Sequence, residues 1–302
     1  MRIAATRLLV GIIIFFTALI FTVSATPQRQ TRAGIDVQVP VLPSPVRADG
    51  YYHLVYELHV TNFGDHELNL WRLEVTGDDP AAFPFGRYEG PELIDRIARP
   101  GQPGLADKRR IEPGTRAVIY VWLSIDARSA LPTALTHRLT FTRGQSATSI
   151  VEIVEEIPKI KIAAPPVVIG APLREGHWFA ANGPSNSSLH RRSLVAVEGR
   201  AAVAQRFATD WIRLGDEGRS WHEDRLKNSN YYAYGAEVFA VADGTVAATL
   251  DGLPDNTPGS RVLPAESDTA AGNYVVIDLG AGRFVLYGHL QPGIRVKAGQ
   301  KV

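Results

Sequence analysis

The stretch HLVYELHVT, His53 to Thr61, constrains the fold most. Leu54, Tyr56, Leu58 and Val60 alternate with His53, Glu57 and His59. A period of two sorts these residues onto opposite faces of a strand and suits one half-buried against a core. The theme repeats downstream. NFGDHE reads as a turn and LNLWRLEV as the next strand. EPGTRAVIYVWLSI is a Pro-Gly turn into a strand from Ala117 to Ile125. LTHRLTFT and SIVEIVEEI follow. Short strands with turn signals between them predict an immunoglobulin-like β-sandwich over residues 35–157. The Pro-, Gly- and charge-rich stretch from Asp78 to Arg110 reads as a long loop with a little helix around Glu92–Ala98. His53, His59 and His66 read as ordinary strand-face or turn residues, and this region offers no catalytic constellation.

The chain has 302 residues, room for two domains of ordinary size. Its formal net charge is +1, and a nucleic-acid reader usually carries a strong basic excess, so no nucleic-acid partner is expected. There are no cysteines, so disulfides, thiolate ligands and a cysteine nucleophile are excluded. A metal site would have to use His, Asp or Glu.

The N-terminus carries Arg2 and Arg7, then the uncharged run Leu8 to Ala25, ending in Val23-Ser24-Ala25. A basic start, an apolar centre and small residues predict a secretory signal peptide over residues 1–25. The alternative is an uncleaved membrane anchor through residues 8–25, which as a helix would span roughly 27 Å. Either way the expected location is the periplasm or cell envelope, soluble or held at the inner membrane.

PKIKIAAPPVVIGAPLREGHWFAANGP marks a change of composition, and its prolines predict an extended linker over residues 158–184 with the boundary near Pro165. From Ser185 onward the chain is again β-rich. AEVFAVADGTVAATL reads as two short strands with a tight turn at Asp243-Gly244. GNYVVIDLGAGRFVLYGHL reads as a hairpin turning at Gly280-Ala281-Gly282. His289 ends the second strand of that hairpin, a position from which an imidazole can act as general base, oxyanion donor or ligand. Asp210 sits in QRFATDWIRL between Phe207 and Trp211. A carboxylate in such a setting needs a partner, and the local sequence offers Arg206, Arg213 or a metal. His190, in NSSLHRRSL, lies where a loop could fold over a cleft. His222, in RSWHEDR, reads as exposed.

The order of these pieces resembles the lysostaphin/LytM-type zinc metallopeptidase family over about residues 185–302. Gly235, Val238, Ala240, Gly244 and Val246 match one block, Gly272-Asn273-Tyr274-Val275 with Ile277 and Gly280 a second, and Tyr287, His289 and Leu290 a third. Val296, Gly299 and Gln300 complete it. The resemblance implies an all-β architecture in which the sandwich is followed by an incomplete LytM-type antiparallel β-sheet peptidase domain. It implies zinc-assisted hydrolysis of peptidoglycan or cell-wall peptides. Asp210 matches the family's aspartate ligand, and His289 matches an auxiliary catalytic histidine. Arg206 stands where the family's first histidine ligand would be, and arginine cannot take that role. His190 is the replacement ligand to test beside Asp210. The pattern would continue past Val302 with a His-x-His strand, so a domain incomplete and inactive on its own is expected. The alternative is a degenerate LytM-type module that binds cell wall or regulates a wall hydrolase.

Overall fold

A computed structural model of the chain describes residues 33–79, 81–102, 104–143, 151–197, 199–260 and 269–302. The expected signal or anchor segment lies outside the described residues. Among the described residues no helix is long and apolar enough to cross a membrane.

The chain is all-β. Its first half runs through β1 (Ile35–Gln38), β2 (Val46–Ala48), β3 (Tyr51–Asn62), β4 (Leu68–Thr76), β5 (Gly86–Glu89), the short helix α1 (Gly90–Arg96), β6 (Ile97–Ala98), β7 (Arg110–Ile111), β8 (Arg116–Asp126), β9 (Ala134–Arg143) and β10 (Val151–Lys161). These strands make two five-stranded antiparallel sheets. One has the order β1-β3-β8-β6 with β2 beside β3, and the other the order β10-β9-β4-β5 with β7 beside β4. Alternate residues of both sheets, Leu54, Tyr56 and Leu58 from β3 with Leu70 and Leu73 from β4 and Phe141 from β9, share one core. Pro91 opens α1 and an Arg96–Glu92 ion pair of 2.8 Å braces it, one turn apart on the helix.

β3 is not half-buried. Every residue from Leu54 to Asn62 is buried, including the polar Glu57, His59 and Thr61 on the face turned away from the sandwich core. The cover comes from the segment around residues 186–206, where Val203 and Leu194 pack on Val118 and Tyr120 of β8. The sandwich and this segment belong to one compact unit.

The linker is shorter than its composition suggests. β10 continues to Lys161, with a register shift between Ile157 and Ile160 that accommodates Pro158 on an edge strand. β11 (His177–Ala181) forms within the expected linker and pairs with β14 (Asp210–Leu214). Between them lie α2 (Leu189–Arg192) and the small ribbon β12 (Val195–Val197) and β13 (Arg200–Ala202).

The C-terminal sheet has the order β15 (Thr245–Leu250), β16 (Asn273–Asp278) and β17 (Phe284–Leu290). The β16–β17 hairpin turns where expected, with Gly280, Ala281 and Gly282 all at positive φ. The expected turn at Asp243-Gly244 is absent, because residues 236–244 form no strand. Gly244 is required for a different reason. A Cβ there would stand 2.5 Å from Ile277 Cγ2 and 2.7 Å from the Asp278 carbonyl oxygen. The free edge of β15 is taken up by residues 299–302, through Val246 N–H to the Gln300 carbonyl at 2.8 Å and a reciprocal pair between Gly244 and Val302 at 3.1 Å.

Candidate functional site

His190 and Asp210 meet. His190 Nε2 stands 3.4 Å from Asp210 Oδ1. α2 delivers the histidine, and the first residue of β14 delivers the carboxylate. Asn182 joins them from the end of β11. Its backbone sits at φ 47°, in the left-handed region that asparagine tolerates and that the following glycine makes a natural turn. Its side-chain amide donates to Asp210 Oδ2 at 2.7 Å. Its backbone carbonyl lies 3.0 Å from His190 Nδ1 and accepts from the Ser188 hydroxyl at 3.1 Å.

A carbonyl oxygen can only accept, so His190 Nδ1 carries the proton. In the neutral ring Nε2 is then a bare lone pair aimed at a carboxylate oxygen. Two acceptors in that arrangement call for a cation between them, either a proton on Nε2 or a metal ion. Histidine ligands typically donate their second nitrogen to a carbonyl or carboxylate, as His190 does to Asn182. Two ligand atoms about 2.0–2.1 Å from one tetrahedral zinc lie about 3.3 Å apart, close to the observed spacing. The pair can supply one edge of a tetrahedral zinc site, two of the three protein ligands that a catalytic zinc takes. Among the described residues no group of three or more His, Cys, Asp or Glu side chains gathers in ligand geometry, so His289 does not join this pair as a third ligand.

Arg206 and Arg213 are not the partners of Asp210. Arg213 lies over the Trp178 ring at 5.8 Å. Arg206 reaches into the sandwich and makes a two-armed ion pair with Glu57 through Nε, at 3.0 Å, and Nη2. Glu57, only 1% exposed, also receives Arg191 Nη1. Burial lowers the pKa of Arg191, with like charge on Arg206 and Arg192 adding to the effect.

His289, the last residue but one of β17, is exposed and sits at φ 57°. Left-handed backbone at a non-glycine residue is uncommon and persists when its surroundings enforce it. Here the His289 N–H donates to the Ala271 carbonyl at 2.7 Å. The buried Asn273 side chain donates to the carbonyls of Leu290 at 3.0 Å and Leu253 at 2.9 Å. Tyr287 Oη accepts from the Val241 N–H at 2.9 Å. His222 is exposed against the Tyr232 ring, as expected.

Two residues of the site went unread in the sequence. Asn182 fell inside the expected linker, although its Asn-Gly pair was a turn signal. Glu57 looked like an ordinary solvent-side residue of an alternating strand.

No protein-family model and no curated protein sequence matches the chain. Two solved structures show slight likeness. A Northeast Structural Genomics Consortium target solved by X-ray is 14% identical, with a TM-score of 0.28, over 48% of this chain and 96% of its own. A Bordetella pertussis chain solved under the name ApaA is 17% identical, also at 0.28, over 45% of this chain and 100% of its own. Likeness at that level carries no argument about function.

Proposed function

We propose that the region from Ser185 onward works as a LytM-type domain directed at peptidoglycan peptides in the cell envelope, with His190 and Asp210 as its zinc-holding pair. The observation that carries this reading is the placing of the His190 ring, with Nδ1 3.0 Å from the Asn182 carbonyl oxygen and Nε2 facing Asp210 Oδ1 at 3.4 Å. Bound zinc supplies Lewis-acid polarisation of a peptide carbonyl and a water of lowered pKa. The chain's own residues do the rest. Asn182 fixes the His190 tautomer and occupies the second oxygen of Asp210, leaving Oδ1 for the metal. His289, exposed on an enforced backbone, is the imidazole available to hold or move a proton beside the scissile peptide.

A second reading has its own support. Arg206 occupies the family's first histidine position and is engaged with Glu57, which favours a wall-binding or hydrolase-regulating module without catalysis. Purified muropeptides incubated with the protein and zinc separate the two. The peptidase reading expects chelator-sensitive cleavage that is lost in Asp210→Asn and in His289→Ala. Binding of muropeptides without cleavage, in folded protein, sinks the peptidase reading and supports the module.

A further inference from the structure

Glu57 belongs to the sandwich, over 130 residues before the pair it touches indirectly. On β3 it points away from the sandwich core, and a carboxylate on such a face is ordinarily solvated. Here it is sealed at 1% exposure, and two guanidiniums close on it. One belongs to Arg191, the residue after His190. The other belongs to Arg206, four residues before Asp210. The two positive arms thus hold, on a single carboxylate, the two chain segments that present His190 and Asp210. Further bonds tie the same segments down. Arg191 Nη2 donates to the Tyr56 carbonyl at 2.9 Å, Asn186 to the Tyr120 carbonyl at 3.0 Å and Arg192 Nη2 to the Asp95 carbonyl at 2.5 Å. Arg192 also lies over the Tyr120 ring at 4.3 Å.

We infer that Glu57 is a positioning residue for the His190–Asp210 pair, so that the sandwich is a working part of the site rather than a spacer. Helix α2 has only four residues and no side-chain N-cap, so it has little stability of its own to fix the direction of His190. Among the described residues β14 pairs with β11 alone, which likewise leaves the approach of Asp210 to be set from outside. A buried carboxylate with two bidentate-capable arginines restricts both segments at once, because each guanidinium accepts a narrow range of orientations. This inference builds on the zinc-pair reading, but its first readout needs no metal.

The test compares full-length protein with its Glu57→Gln and Arg206→Met variants. Arg206→Met leaves Glu57 balanced by Arg191 and so keeps a folded comparison even where Glu57→Gln fails to fold. Nitrogen-15 correlation spectra of the metal-free protein report the His190 tautomer. The expected result is a fixed Nδ1–H form in the unaltered protein and tautomer averaging in the variants, with the sandwich resonances remote from Glu57 and His59 unchanged in Arg206→Met. Zinc titration is the second readout, with binding about tenfold weaker in Arg206→Met. A folded Arg206→Met protein with the His190 tautomer still fixed and zinc affinity unaltered overturns the positioning role. A tautomer that loosens in the variants, in a protein that binds no zinc at all, keeps the positioning role and rejects the zinc pair instead.

Discussion

At the scale of single residues, Asn182 does the most with the least. One side chain and one carbonyl set the proton on His190 and the free oxygen on Asp210. Asn182→Gly keeps the carbonyl and suits the left-handed backbone while removing the amide. It is expected to weaken zinc binding about tenfold and to change stability by less than about 1 kcal/mol, measured by titration and urea melts. Asp210 shows how little its neighbourhood in sequence reveals. Arg206 and Arg213 flank it, yet its partners come from Asn182 and His190, twenty and more residues earlier. Two buried histidines make a separate prediction. Burial lowers the pKa of His137 to about 3, and burial with Arg116 and Arg206 lowers that of His59 to about 4. Both folded values lie below the unfolded value of about 6.5. The unfolded chain therefore takes up protons that the folded chain refuses. Stability is full above about pH 6.5 and falls as pH drops toward 4, by up to about 1.4 kcal/mol per pH unit for each group. His137→Gln should flatten that slope by about half, read from urea midpoints between pH 6.5 and 5.

At the scale of elements, alternation made the sandwich strands legible, because a two-residue period forces apolar residues onto one face. The same alternation misrepresented β3, whose polar face is covered by a segment far along the chain. No local pattern carries that information. The β16–β17 hairpin was legible from three consecutive turn residues, whereas Asp243-Gly244 looked like a turn and is a place of close approach. Gly244→Ala tests that distinction. A methyl group 2.5 Å from Ile277 Cγ2 forces β15 and β16 apart. The expected cost is about 1–3 kcal/mol, seen as a lower melting temperature with the sandwich signals intact. A turn-only role would give strain from φ, and Gly244 is not among the positive-φ glycines.

At the scale of the whole molecule, the sandwich and the region after it are joined through a buried charge cluster. Glu57 faces Arg191 and Arg206, and His59 lies nearby with its pKa lowered first by burial and then by Arg116 and Arg206. Removing the one carboxylate leaves the buried Arg191 and the largely covered Arg206 without compensation. Glu57→Gln is expected to destabilise the protein by about 3–5 kcal/mol, measured by denaturant unfolding of the full chain. The resemblance over residues 185–302 pointed to Asp210 and His289 but held no place for the sandwich. Composition set the domain boundary near Pro165, whereas the contacts of Arg191 and Arg206 carry the second region back onto the first. On the proposed reading His190 and Asp210 form a zinc-holding pair. The most direct measurement is zinc titration followed at the His190 ring nitrogens. The expected result is about one zinc per chain, a large shift at Nε2 with Nδ1 still protonated, and loss of both in Asp210→Asn. Folded protein holding less than about a tenth of an equivalent of zinc, or zinc bound without any change at Nε2, would contradict it.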